Sequence, residues 1–529
     1  MSSGSALFAV AVADFRERTR RYSFLLTLLF AVFLGYATAT GKILLQVDEY
    51  RGVYTSGWIG TLVAMVITCF VSLVGFYIVK NAVERDRSTG VGQILAATPL
   101  SEVSYSLGKF CSNFAVLSSM VAVLAVAAVV MQFVAAEDPH VDLWALLSPF
   151  LLIALPAMAL TSAMALLFEM VPFLRGGFGN IAWFFVWTFA LSLPVLVGKH
   201  WLDAFGLFAV LDSLSAQALL HVPGYHGGLG FQIAAGQQIK IAQDLRWPGI
   251  HWTLPLIVTR LVWLTVAILL ALLAALIFDR FDSFKAWRTV PAAGGAIVAP
   301  NPSIAAAQPL VQAMASVHLT PLASASRKNA FARLFVAELR LALQGYRWWW
   351  YAIALSLVVA QVAAPLDASR GPLLGVAWIW PALVWSAMGS RELKHGVRQL
   401  LSSCPGILPR QLFACWTAGL AVALLASSGL LLRLTLAHEW HSMSSLLAGA
   451  AFVPSLALAL GVASGSSKFF EGLYAVLWYI GPMNHTPGMD YTGAADLAHP
   501  VAFTVRYLLL ASGLLATAIV FRAHQLRGN

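Results

Sequence analysis

The sequence predicts an all-α, multi-pass membrane protein, and three observations carry that prediction. The first is composition: 60% of the 529 residues are hydrophobic and 11% charged, against roughly 45–50% and 25% in soluble domains. So little charge cannot cover a water-exposed surface of this size. The second is the recurrence of apolar runs of about 20 residues, the length that crosses ~30 Å of hydrocarbon. Twelve are expected, over 23–40, 57–79, 110–134, 143–168, 178–198, 257–278, 348–364, 371–388, 412–434, 444–463, 469–483 and 501–521. The third is charge placement. With the N-terminus cytoplasmic, most of the 33 Lys and Arg fall inside, among them Arg16, Arg18, Arg20, Arg21, Arg280, Lys285, Arg391 and Lys394. The short outer loops, such as Glu137–Asp142 and Asn484–Pro500, are acidic or uncharged. This is the positive-inside pattern, and it accounts for the net charge of +10 without nucleic acid.

Each element follows from local pattern. Residues 7–21 set Phe8, Val12 and Phe15 against Arg16 and Arg20, an amphipathic helix suited to the interface plane, its arginines reaching the phosphate layer. The cluster Arg16–Arg21 precedes a full apolar run, so it reads as the flank of a retained first helix. A longer outer loop, Gly41–Gly57, separates the first two runs, and Lys199–Thr253 is the largest outer segment. Within it Leu202, Phe205, Phe208, Leu211, Leu214 and Leu219 predict a helix over 201–221 lying on the outer leaflet as a lid. Residues 281–329 carry Pro291, Pro300, Pro302 and Pro309 among Ala, Gly and Ser, and read as a cytoplasmic linker. Residues 330–346 repeat the amphipathic pattern, with Phe331, Leu334, Phe335 and Leu339 against Arg333, Glu338 and Arg340.

The chain also matches itself. Glu84–Pro99 returns 306 positions later as Ser390–Pro405, with Gly90, Gln93, Leu95 and Pro99 paired to Gly396, Gln399, Leu401 and Pro405. Ala13-Asp-Phe-Arg16 and Tyr22 align with Ala337-Glu-Leu-Arg340 and Tyr346 at an offset of 324, and Arg260 and Arg506 take equivalent places near the outer end of a sixth run. An even number of runs per copy gives parallel repeats, 1–280 and 330–529, related by an axis along the membrane normal.

An interfacial helix, two runs separated by a charged helix leading into Gly-x-x-Gln-x-Leu-x-x-x-Pro, and four further runs, all repeated twice, resemble the permease subunit of bacterial type-2 ABC exporters. The resemblance implies that 84–99 and 390–405 are coupling helices seated in clefts of two separate ATP-binding cassette subunits. The residues then implied in ATPase coupling are Glu84, Arg85, Asp86, Gly90, Gln93, Leu95 and Pro99, with Arg391, Glu392, Gly396, Gln399, Leu401 and Pro405. Arg16, Arg20 and Arg340 are the interfacial anchors. The chain would carry no cofactor of its own, ATP and Mg residing on the partners, and would sit in a bacterial inner membrane with both termini cytoplasmic. Membrane lipid and a periplasmic or accessory protein are the further partners, and nucleic acid is not expected.

No Gly-x-x-x-x-Gly-Lys-Ser/Thr stretch occurs, so the chain is not expected to be the ATPase. Glu169, Lys468 and Glu471 sit near inner ends of runs, and Arg260, Arg433 and Arg506 near outer ends where snorkelling lowers their cost, which argues against an ion-driven carrier. Lys468 and Glu471 are spaced for an i,i+3 ion pair. The predominance of aliphatic and aromatic side chains favours a lipid, a lipid-linked molecule or an amphipathic peptide as cargo. Trp201, Trp247, Trp252, Trp348–Trp350, Trp378 and Trp380 are spaced as an aromatic belt. Cys69, Cys111, Cys404 and Cys415 suggest neither a disulfide nor a thiolate metal cluster, and the pairs His221/His226 and His438/His441 lack further ligands. Two other functions stay open: an ATPase-coupled mechanical or assembly protein without cargo, and a lipid-modifying enzyme using Asp203, Asp212 and His221.

Overall fold

Helices follow the apolar runs in a computed structural model that describes residues 3–20, 22–40, 43–47, 50–98, 100–138, 140–222, 225, 229–233, 243–278, 330–397, 407–486, 488–494 and 500–527. Pro99, Gln399, Leu401, Pro405, Cys404, His226 and the linker 281–329 lie outside the described residues. The first part comprises α1 (Ser3–Thr19), α2 (Tyr22–Ala39), β1 (Ile43–Val47), β2 (Tyr50–Gly52), α3 (Ser56–Val79), α4 (Ala82–Ser88), α5 (Val91–Ala96), α6 (Glu102–Ala135), α7 (Leu143–Pro149), α8 (Leu155–Met170), α9 (Gly177–Val197), α10 (Leu207–His221), β3 (Leu229–Ile233), β4 (Gln243–Leu245) and α11 (Leu254–Ile277). The second comprises α12 (Ala330–Leu343), α13 (Trp348–Ala363), α14 (Leu374–Ile379), α15 (Ala382–Ser386), α16 (Arg391–Lys394), α17 (Ile407–Ala426), α18 (Ser428–Leu436), α19 (Trp440–Ser464), α20 (Lys468–Trp478) and α21 (Pro500–Arg527).

Side-chain caps explain several helix starts. Thr55 accepts from the Trp58 amide at the head of α3, Ser101 from Ser104 at α6, and Asp142 from Trp144 and Ala145 at α7. Prolines mark the irregularities. Pro149 precedes the π-turn Phe150–Ala154 joining α7 to α8, and Pro372 and Pro482 lie inside the π-turns Ser369–Leu373 and Tyr479–Met483. A proline lacks the amide hydrogen that an α-turn would donate, so the backbone widens around it.

All twelve expected runs are helical, but fewer than twelve helices are individually long enough to cross a membrane. Among the described residues seven helices are long and apolar enough, and the bent pair α17/α18, which turns by 65°, makes an eighth if it is one span. The shortfall sits where the runs were shortest or interrupted. Thr27–Thr38 and Trp348–Ala363 are short apolar helices, 371–388 is divided by a π-turn and Pro381, and 469–483 ends in a π-turn.

The fold also departs from all-α at one end. The two long loops of the first part join in a four-stranded sheet of order β3-β1-β2-β4, with β1 antiparallel to both β2 and β3 and β2 parallel to β4. Helix α10 appears within the expected 201–221 segment and packs Ala218 and Val222 with Leu245 beside this sheet.

Two buried apolar clusters organise the interior. One draws on residues between Phe24 and Phe278 together with Ala475 and Trp478, the other on residues between Trp350 and Ala518, and Ile379 packs against both. Of the expected aromatic belt, Trp201 and Trp348 are exposed, whereas Trp247 and Trp378 are buried, the latter donating its indole N–H to Ser427 at 2.6 Å. Arg260 does not snorkel: it is buried 3.6 Å from Asp203, while its counterpart Arg506 lies over the Tyr507 ring at 5.2 Å.

Two helix crossings depend on missing side chains. A Cβ at Gly60 would stand 2.2 Å from the Leu146 carbonyl oxygen, and one at Gly461 1.9 Å from that of Met388. Gly60→Ala and Gly461→Ala are each expected to destabilise by about 1–3 kcal/mol through forced separation of the backbones. Gly513→Ala on α21, where nothing lies within 4 Å, should leave the thermal midpoint unchanged or raised, and scanning fluorimetry of the detergent-solubilised protein separates the cases.

Candidate functional site

The helical segment that follows α3 is held from two sides. From α8, Glu169 receives the amides of Ala82 at 2.9 Å and Val83 at 2.6 Å, and also those of Asn81 and Glu84. These are donors that the first turn of α4 leaves without intrahelical partners, and a carboxylate there also meets the positive end of the helix dipole. Asn81, at φ 79°, supplies the turn that swings the chain out of α3.

Along its body α4 is held by a buried ionic cluster centred on Asp14 of α1. Arg18 reaches Asp14 at 2.8 Å, Lys109 of α6 at 2.9 Å and Arg85 at 2.5 Å, while Arg85 also pairs with Glu17 at 2.5 Å. Lys109 extends to Asp86 at 2.7 Å, where the Tyr105 hydroxyl donates at the same distance. Arg18 donates onward to the Val79 carbonyl at 3.2 Å and to the Asn113 side chain. Three acids and three cations thus compensate one another where α1, α3, α4 and α6 meet. Burial pushes the Asp14 carboxyl up, but Arg18, Lys109 and Arg85 outweigh it and hold it below its ordinary value.

The second part repeats the arrangement with fewer cations. Glu338 of α12 lies 3.6 Å from Arg391 and accepts from Gln411 at 3.4 Å. Glu392 accepts from Gln411 at 3.0 Å and pairs with Arg522 of α21. At the offsets of the repeat, Glu338 stands for Asp14, Arg391 for Arg85 and Glu392 for Asp86. Burial pushes the Glu338 carboxyl up; Arg391 and Gln411 oppose this without cancelling it, and Glu392 adds to it. The two anchoring acids are therefore displaced in opposite directions.

The expected coupling residues divide into inward and outward sets. Asp86 is buried, Arg85 is bound to α1, and Arg391 and Glu392 are tied to α12, α17 and α21. Glu84 and Gln93 are exposed and Leu95 is half-buried. Val91 and Ile94, which the repeat did not single out, are exposed beside them, as are Leu393, Lys394, His395 and Val397 in the second copy. Gly90 and Gly396 both take positive φ, 77° and 66°, with open space where a Cβ would be, so glycine is required there by backbone conformation alone. Arg16, Arg20 and Arg340 are exposed.

A further polar node joins the two parts on this same face. Lys80 donates to the Asn180 side-chain oxygen at 2.6 Å, Asn180 donates to Glu471, and Lys468 donates to the Lys80 carbonyl at 3.2 Å. The expected Lys468–Glu471 pair is not made, because each side chain reaches α3 or α9 across the contact instead. Above the node Phe184 meets Tyr479 and Phe185 meets Trp478, both at 5.7 Å between centroids.

Sequence reasoning missed Asp14, Arg18, Lys109, Gln411, Arg522, Lys80 and Asn180 as structural partners. The signal for one was present: the aligned pair Asp14 and Glu338 repeats an acid on the face of an interfacial helix that should be apolar. Among the described residues no group of three or more His, Cys, Asp or Glu is placed to hold a metal.

The two acids should respond oppositely to pH. A carboxyl with a depressed folded value contributes stability that is present above its unfolded value, about 3.8 for Asp14, and is lost as pH falls through the folded value. A raised one costs stability at neutral pH, and the cost shrinks as pH falls below its folded value and is gone below its unfolded value. Asp14→Asn should therefore destabilise at pH 7 by about 3 kcal/mol, and Glu338→Gln by less than about 1 kcal/mol, with the Glu338→Gln deficit growing as the wild type is taken to lower pH. Equal losses at pH 7 in thermal unfolding would contradict this. Asn180→Leu, which removes the amide donor to Glu471 and leaves Lys80 the Leu174 carbonyl, should raise proteolytic cleavage between the two parts relative to cleavage within them.

No protein-family model, curated protein or solved structure matches the chain. Its largely helical build, with several long apolar helices, is consistent with a multi-pass membrane protein.

Proposed function

We propose that the chain is the transmembrane permease of an ATP-driven exporter. On this reading residues 1–280 and 330–529 are two parallel six-crossing halves joined by 281–329, in a bacterial inner membrane with cytoplasmic termini. Separate ATP-binding subunits, carrying ATP and Mg, dock on 84–99 and 390–405 and drive export of a hydrophobic or amphipathic lipid, lipid-linked molecule or peptide.

The observation that supports it most is the division of each repeated segment into an anchored and an offered side. Asp86 and Glu392 are fixed to neighbouring helices, whereas Glu84, Gln93 and Ile94, and Leu393, Lys394 and Val397, face outward. A load on the outward set passes through buried, charge-assisted bonds into α1, α3, α6 and α21 instead of dissipating in a loose loop. The packed contact of Phe184 and Phe185 with Tyr479 and Trp478 favours a second reading, an ATPase-coupled mechanical protein with no cargo path.

Glu84→Lys combined with Ile94→Asp is expected to abolish co-purification of a partner ATP-binding subunit while leaving the thermal midpoint within about 1 °C, since surface changes rarely exceed ~0.5 kcal/mol. Asp86→Lys should instead unfold the cluster and lower the midpoint. Retained partner binding by the double variant would refute the docking assignment. Imaging the complex with and without nucleotide separates the readings: a cavity opening between α9 and α20 supports export, and an unchanged contact supports the mechanical role.

A further inference from the structure

Between α13, α14 and α17 the second part leaves a cavity of about 240 Å3 walled by Leu343, Trp350, Ala354, Ala377, Trp380 and Leu425. Its polar atoms are satisfied within the wall: the Trp380 indole N–H donates to the Trp350 carbonyl at 3.2 Å, and the Tyr351 hydroxyl to the Leu343 carbonyl at 2.5 Å. The lining is dry, and an apolar cavity of about 150 Å3 already admits benzene. The cavity opens beside Leu355 and Leu425, both exposed, on the flank of α13.

The repeat shows smaller side chains at and beside this lining than in the first part. At the offset of 324, Ala354 stands where the first part has Phe30; at 306, Val376, next to the lining Ala377, stands where it has Phe70. The Phe30 and Phe70 rings lie 5.1 Å apart between α2 and α3. These two rings, of which Phe30 is exposed, are an alanine and a valine in the second part.

Two cations adjoin the lining residues along the chain. Arg347 caps α13, its carbonyl accepting the amide of the lining Trp350 at 2.9 Å, and Arg340 lies three residues before the lining Leu343. Both are exposed, and among the described residues neither has a partner. Glu338, the acid on the same helix, is turned inward to Arg391. Two unpaired guanidinium groups at a membrane boundary, beside a dry slot open to the hydrocarbon, match an anionic headgroup and its acyl chain.

We propose that this slot is a binding site for one anionic phospholipid of the surrounding membrane, with an acyl chain between α13, α14 and α17 and the phosphate on Arg340 and Arg347. The site is independent of the exporter reading, because it lies on the flank of one part and involves neither repeated segment.

Native mass spectrometry of the full chain, released from nanodiscs of phosphatidylcholine doped with phosphatidylglycerol, tests it. The wild type should retain one phosphatidylglycerol that Ala354→Phe loses, and Arg340→Gln with Arg347→Gln should reduce the preference for phosphatidylglycerol over phosphatidylcholine about tenfold. Equal retention by Ala354→Phe and wild type overturns the proposal. If Ala354→Phe does not fold, the wild type decides: phosphatidylglycerol bearing a diazirine in its acyl chain should label 350–358 and 422–426 above the exposed flanks of α6, α11 and α21. Uniform labelling of those helices overturns the site.

Discussion

A buried carboxylate is tolerable only where cations and donors surround it, and the face bearing the repeated segments is built around that requirement. Asp14 and Glu169 lie in surroundings where an isolated charge would cost several kcal/mol. Each is compensated by groups from other helices: Asp14 by α4 and α6 as well as its own α1, Glu169 by four consecutive amides at the head of α4. Compensation thus fixes where α4 lies, and with it the direction in which Glu84, Gln93 and Ile94 are presented. The hydrophobic contribution is non-directional, whereas these charge-assisted bonds fix orientation.

The same requirement is met differently in the two copies. Lys109 lies one helix away from Asp86, whereas the cation on Glu392 comes from Arg522 on the last helix. The second copy is therefore tied to the far end of the chain and the first to its beginning. The aromatic fill diverges as well, with Phe30 and Phe70 giving way to Ala354 and Val376. A repeated backbone plan thus supports two local chemistries.

The helices were legible because a run of aliphatic residues too long for a buried core element has few alternatives, and the repeat located the segments between them. What the sequence left hidden was pairing at long range. Lys109 and Asp14 are 95 positions apart and Asn180 and Glu471 are 291 apart, and no local pattern announces such partners. Asp86 looked available to a cleft because charge next to a membrane run usually faces water; Lys109 and Tyr105, just before the next apolar run, turned it inward. The sheet escaped notice for a related reason. Its strands span three to five residues, β1 meets β3 across almost the whole first part, and Asp48-Glu49 lacks the glycine that marks a tight hairpin. Among the described residues seven or eight helices reach spanning length because π-turns and Pro381 divide other apolar runs, and hydropathy carries no information about backbone continuity.

The parallel pairing of β2 with β4 carries a mechanical meaning. Val53 donates its amide to the Leu245 carbonyl at 3.0 Å, and Thr55 donates to the Trp247 carbonyl at 3.2 Å, so the head of α3 is stitched to the loop that leads into α11. Its foot is clamped by Arg18 and followed by the amides that Glu169 holds. A helix fixed at both ends behaves as a strut. Among the described residues no strand does this for the second part, whose α14 and α15 are broken by a π-turn and Pro381. Stiffness is therefore concentrated in α3, whereas its counterpart in the second part can yield at two joints.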